Sequence, residues 1–140
     1  MIHPATPDDL PRLLPMVHAL AAHHGDPAAC TLDDLHRDLF GPRAFLSVLM
    51  AEGGYTALYP VAQLHWGLRG VEMHHLFVTP AQRGAGLGRA LVQAAVAQAK
   101  TQGARFMTLG THPANDRARA FYAALGFDRI DPGPRLRLKF

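Results

Sequence analysis

The stretch that constrains this chain most is residues 71–98, Val-Glu-Met-His-His-Leu-Phe-Val-Thr-Pro-Ala-Gln-Arg-Gly-Ala-Gly-Leu-Gly-Arg-Ala-Leu-Val-Gln-Ala-Ala-Val-Ala-Gln. Its apolar run stops at Pro80, the glycines 84, 86 and 88 free the backbone from side-chain sterics, and Leu87, Leu91, Val92 and Ala95 recur at helical spacing. The pattern reads as strand, glycine turn, helix. Such a turn leaves amide N–H groups pointing outward without partners, and the helix dipole adds partial positive charge there, which makes an anion site. Arg83 and Arg89 flank it with full charge, so a phosphate or pyrophosphate is the natural ligand.

Spacing narrows the choice of ligand. A dinucleotide fingerprint needs G-x-G-x-x-G, but the third glycine position is Arg89 counted from Gly84 and Leu91 counted from Gly86. A P-loop needs Gly-Lys-Ser/Thr, whereas Gly88 is followed by Arg89 and Ala90. What fits residues 83–88 is Arg-x-x-Gly-x-Gly. Further on, residues 105–110 look like a second buried strand. Asn115, Ala118, Phe121, Tyr122, Gly126 and Phe127 then fall in the order Asn-x-x-Ala-x-x-Phe-Tyr-x-x-x-Gly-Phe.

With these two motifs in this order, and a helix and a strand between them, the chain resembles the GNAT family of N-acetyltransferases. The resemblance is strong over the second half of the chain and rests on pattern alone over the first. It implies an α/β (α+β) fold, one domain over residues 1–140, with about four helices. The central twisted sheet is mostly antiparallel and splayed around the cofactor, and the strand ending at Val78 runs beside residues 105–110 before the two diverge. The implied co-substrate is acetyl-CoA, with no metal. Its pyrophosphate falls to the turn of Arg83, Gly84, Ala85, Gly86, Leu87, Gly88 and Arg89, and Asn115 holds the cofactor arm.

Composition sets wider bounds. The chain has 140 residues, 49% of them hydrophobic, enough apolar surface for one core. It has no long apolar run of membrane-spanning length and no signal-peptide pattern, and its single cysteine, Cys30, fits a reducing cytoplasm. Cys30 lies in an Ala-Ala-Cys-Thr connector and reads as a bystander thiol. The net charge of +3 is spread through loops and helices without a basic stripe or interleaved aromatics, so it favours an anionic cofactor over nucleic acid.

From the start, residues 1–3 read as a short strand. Thr6, Pro7, Asp8 and Asp9 cap a helix with an apolar face of Leu10, Leu13, Leu14, Val17 and Leu20, closed by Gly25 and Pro27. A second helix begins at Thr31, carries Leu32, Leu35 and Leu39, and ends at Gly41 and Pro42. In the family these two helices wall the acceptor site. Residues 45–52 and 55–59 form a hairpin across Gly53 and Gly54, and Pro60 marks an interruption or bulge in the second strand. Residues 135–139 alternate as a final strand with one solvated face.

Trp66 and Gly67, just before the motif strand, resemble the polyamine branch of the family, which places Trp66 with the acceptor. That branch carries an acidic pair in its central strand where this chain has His74 and His75. Protonated imidazoles repel a polycation that carboxylates would attract, which speaks against a polyamine acceptor. Strand alternation puts His74 and His75 on opposite faces unless a bulge intervenes. The other histidines show no zinc-ligand spacing.

Direct acetyl transfer sets three tasks: an oxyanion to stabilise, an amine to deprotonate and a thiolate to protonate. The resemblance assigns the first to backbone amides of Leu76, Phe77 and Val78, and the last to the hydroxyl of Tyr122. The base is open among His74, Glu72 and a water chain, and Glu72 and His74 also face the acceptor. The expected activity is acetylation of a primary amine of a small molecule. A protein or peptide acceptor, and a non-catalytic acyl-CoA sensor, stand as alternatives, as does a homodimer.

Overall fold

A computed structural model describes residues 1–112, 114–131 and 133–140. They form two compact units, Met1–Gly110 and Thr111–Phe140. The first carries a five-stranded sheet of β1 (His3–Pro4), β2 (Ser47–Ala51), β3 (Gly54–Gln63), β4 (Leu68–Val78) and β5 (Phe106–Thr108), in that spatial order. The first three pairings are antiparallel and β4 to β5 is parallel. A parallel step needs a crossover, and helix α3 (Leu87–Thr101) supplies it. The sheet is therefore mostly antiparallel, as expected. The strand foreseen over residues 105–110 is shorter at both ends.

Helices α1 (Leu10–His23) and α2 (Leu32–Phe40) cover one face of the sheet. Leu10, Leu13, Met16, Leu20 and Leu35 pack there with Val48, Met50, Tyr55, Ala57 and Phe77. Met16 is buried although the apolar face read from the sequence omits it, whereas Leu14 and Val17, which that face includes, lie half-buried at the margin. On the other face, Leu91, Val92, Ala95 and Ala99 of α3 are buried, as are the alternate strand residues Leu49, Leu58, Val71 and Met73. Burying each large side chain stabilises the fold by about 1.5–3 kcal/mol.

Local chemistry sets the helix starts. Thr31 caps α2: its hydroxyl accepts from the Asp34 amide at 3.1 Å, while Asp34 accepts from the Thr31 amide at 2.9 Å. Ahead of α1, residues Pro7–Asp9 form a short 3-10 turn. There the buried Asp9 carboxylate accepts from the Thr6 amide at 2.8 Å and from Arg12 at 2.5 Å, with His3 Nε2 at 3.1 Å. The Thr6 amide above all, then Arg12 and His3, hold this carboxyl well below the usual range against the opposing effect of burial.

Two expectations for the hairpins need correction. The turn between β2 and β3 is Glu52 and Gly53, because Gly54 already pairs with Ala51 and Val78 inside the ladder. Only Gly53 adopts the left-handed backbone, at φ +82°. Pro60 does not interrupt β3, which runs on to Gln63. The partner of β3 on the β2 side ends at Leu58, so the N–H that Pro60 lacks would point to an open edge.

In the second unit, Asn115 caps α4 (Asp116–Ala124), its Oδ1 accepting from the Ala118 amide at 3.0 Å. Among the described residues no strand forms over 135–139, contrary to the alternating pattern. Leu136 and Leu138 are exposed there. Alternation makes a strand only where a neighbour supplies the ladder.

Candidate active site

The parallel pairing of β4 with β5 lasts from Gly70↔Phe106 to Glu72↔Thr108 and stops, while β4 continues to Val78. The two strands therefore part after Glu72, leaving one edge of β4 without a strand partner among the described residues. Register says which groups this frees. Thr79 donates to Gly53 O at 2.8 Å across the β3 side, so by alternation Phe77 also faces β3, and Leu76 and Val78 direct their amides to the open edge. Of the three residues assigned to the oxyanion, Phe77 is thus committed to the ladder opposite Tyr55.

The open edge leads into the glycine turn. Gly84 and Gly86 adopt φ of +84° and +87°, and a Cβ added at either would meet no atom within 4 Å. The turn is thus glycine for its backbone conformation, and open space lies in front of it. Gly86 is the N-cap of α3 and has no side chain to satisfy the first amides of that helix, at Leu87, Gly88 and Arg89. Leu87 anchors the helix start on β3, its Cδ2 lying 3.1 Å from where a Gly54 Cβ would stand. Ala85 and Arg89 are exposed. Arg83 bends back: its Nε donates to Val78 O at 2.9 Å and its guanidinium lies 5.9 Å from the Phe77 ring centroid.

The histidine pair sits on a β-bulge. Ala57 pairs with His75 and Leu58 with Met73, so His74 is the extra residue of β4. The bulge overrides strand alternation. Glu72, His74, His75 and Phe77 share the face covered by α1 and α2, and the two imidazoles stack at 4.1 Å with 17° between planes. His74 is exposed and lies 5.8 Å from the Tyr59 ring. His75 is half-buried, with Nδ1 3.0 Å from Tyr55 Oη. Burial pushes the His75 imidazole down to about 4, with the charges of His74 and His24 as lesser causes. Glu72 accepts a hydrogen bond from the Thr108 hydroxyl, at the point where β4 and β5 part.

Trp66 is not brought to this group. It lies in the 3-10 turn Leu64–Trp66, two-thirds exposed, at the end of the β3–β4 hairpin opposite Gly54 and Val78. In the second unit, Tyr122 is half-buried on α4 between Phe121 and Phe127, at ring distances of 5.0 and 5.6 Å. Burial raises its hydroxyl above the ordinary phenol range, so it carries its proton at neutral pH. The Asn115 Oδ1 is taken by the helix cap, and its amide NH2 has no hydrogen-bond partner among the described residues. Tyr55 and Thr108, which touch the bulge and the parting point, carry no motif signal; only the register brings them there. Among the described residues no group of three His, Cys, Asp or Glu is placed to hold a metal ion.

An open-edged strand, a glycine turn and a crossover helix together define an α/β fold whose helix start suits an anionic ligand. Comparison with known proteins agrees: the profile of the Acetyltransferase (GNAT) family matches residues 18–127, and this chain belongs to that family. It is 33% identical over 122 residues to a mycothiol acetyltransferase of Paenarthrobacter aurescens, covering 81% of this chain and 37% of that protein. It is 34% identical over 74 residues to an L-methionine sulfoximine/L-methionine sulfone acetyltransferase of Pseudomonas aeruginosa, covering 53% of this chain and 43% of the relative. The chain thus spans about two fifths of the length of these curated relatives. A crystal structure of a probable acetyltransferase superposes with a TM-score of 0.86 at 21% identity, over 100% of this chain and 97% of the other, which establishes the shared fold.

Proposed function

We propose that this chain transfers an acetyl group from acetyl-CoA directly to a primary amine of a small molecule. The observation that carries the reading is the continuity of the open β4 edge with the empty-fronted glycine turn. Together they offer amides along a path from Glu72 to Gly86. CoA is a pyrophosphate joined to an amide-bearing arm, and this path suits both parts. The amides at the start of α3 and the Arg83 and Arg89 guanidinium groups would hold the pyrophosphate. The unpaired edge of β4 would take the arm as a further strand takes a neighbour. Residues 1–140 work as one acetyltransferase domain in this reading, in the cytoplasm, where acetyl-CoA and a reduced Cys30 coexist.

The chemistry divides among named groups. His74, exposed beside Glu72, takes the proton from the arriving ammonium, or passes it to water. The freed amine forms the N–C bond at the thioester carbonyl, and the amides of Leu76 and Val78 stabilise the oxygen that gains charge. The C–S bond breaks, and Tyr122 gives its proton to the departing thiolate, a role its place in the motif supports. Relatives whose names specify mycothiol and methionine sulfoximine favour a small acceptor over a protein. The imidazole pair at the bulge does not favour a polycation.

The test is thiol release from acetyl-CoA across a panel of small amines, amino-acid analogues and peptides, with acetylated product identified by mass. Turnover confined to small amines supports the proposal. Turnover on peptides alone replaces the acceptor class, and CoA binding with no turnover on any acceptor contradicts catalysis.

A further inference from the structure

Tyr55 and Thr56 lie wholly buried on β3, and between them they hold His75 at its ring and at its main chain. Tyr55 Oη is 3.0 Å from His75 Nδ1, and the Thr56 hydroxyl donates to the His75 carbonyl oxygen at 2.8 Å. The phenol ring also meets the imidazole edge-on, at 6.0 Å and 70°, and packs on Phe77 at 6.1 Å. Burial raises the Tyr55 hydroxyl far above the ordinary phenol range, so it keeps its proton. The acceptor within reach is Nδ1, and a proton given there leaves the hydrogen of the imidazole itself on Nε2. His74 is held differently. It is the exposed bulge residue, and its contacts are the stacked ring of His75 and the ring of Tyr59.

We propose that Tyr55 and His75 are a positioning pair for His74: the phenol locks the His75 ring, and the locked ring is the platform that sets the direction of His74 during acetyl transfer. This rests on the reading of His74 as the base. Without the phenol, the His75 ring gains a second tautomer and the freedom to turn, and the ring stacked on it turns as well. The pair also solves a problem of charge. Three groups bear on His75: Tyr55 from β3, His24 from the end of α1, and His74 on its own strand. Tyr55 stays protonated and uncharged. His75, pushed down to about 4 mainly by burial, stays neutral in the working range and does not oppose a proton arriving on His74.

The experiment uses the full chain and Tyr55→Phe, which keeps the buried ring and removes the hydroxyl. We expect kcat/KM for the amine to fall about tenfold or more, the acidic limb of the rate profile to move, and CoA affinity to hold. In a His74→Gln background, Tyr55→Phe should add nothing. In the wild type, imidazole nitrogen NMR should find His75 unprotonated, with its hydrogen on Nε2, from about pH 5.5 to 8. That measurement needs no variant to fold, and a hydrogen on Nδ1 or an ordinary titration of His75 overturns the pair. So does a Tyr55→Phe profile superimposable on wild type, or an equal loss with and without His74. A His74→Gln enzyme that keeps the wild-type acidic limb sinks the base reading itself, and that failure is separate because Tyr55 and His75 are untouched in it.

Discussion

At the scale of single residues, burial decides which protons are available. Tyr122 sits half-buried between two aromatic rings, and burial keeps its hydroxyl protonated at neutral pH, as the proposed general acid requires. Tyr122→Phe keeps the packing and removes only that proton. Turnover should fall by about a hundredfold or more with CoA affinity within a few-fold, as steady-state kinetics and calorimetry would read. Equal activity would end the general-acid assignment. Asp9 makes a second prediction, about stability. Its folded carboxyl titrates below its unfolded value, so its contribution is full above about pH 4 and is lost as the pH falls through the folded value. Asp9→Asn should destabilise by about 1–3 kcal/mol at neutral pH, and the gap from wild type should close in acid; a gap that grows there would contradict the network. His75 adds to acid sensitivity earlier. Its folded value is depressed to about 4, so its contribution is present above about 6.5 and is lost as the pH falls toward 4.

At the scale of elements, the bulge in β4 is the feature with most consequence. His74 is inserted between Met73 and His75 without moving any later side chain to the wrong face: Glu72, His75 and Phe77 would share one face of a regular strand lacking residue 74. Deleting His74 should therefore leave a folded chain, with Tm lowered by about 5 °C or less, while acetyl transfer is lost. Unfolding of the deletion variant would mean that the bulge is structural. This element also marks the limit of what a single sequence exposes. The glycine turn, α3 and the Thr31 cap were legible because each follows from residues close together in the chain. Pro60 signalled an irregularity, but the bulge lies on the partner strand opposite Ala57 and Leu58, and register belongs to two strands jointly. For the same reason the stacking of His74 on His75, and the approach of Tyr55 and Thr108, were not legible. The alternation of residues 135–139 misled because a pattern of side chains does not supply a ladder.

At the scale of the whole molecule, the proposed function needs a strand–turn–helix that holds the cofactor and a bulged strand that serves proton transfer. Ligand binding to the folded state alone should raise stability, by about 2.7 kcal/mol at a CoA concentration a hundred times Kd. The decisive comparison uses two glycines. Gly86 and Gly67 both have left-handed backbone, at φ +87° and +64°, and a Cβ at either meets no atom within 4 Å. Valine at either position should therefore cost a similar amount of stability, about 1–3 kcal/mol. Gly67 ends the 3-10 turn at the far end of the hairpin, whereas Gly86 stands where the pyrophosphate is assigned. The direct measurement is calorimetric titration of CoA into both variants. Gly86→Val should weaken CoA binding by about tenfold or more, the scale of one lost charged hydrogen bond, while Gly67→Val should bind as wild type does. Equal CoA affinity for the two variants would contradict the placing of the pyrophosphate at the glycine turn.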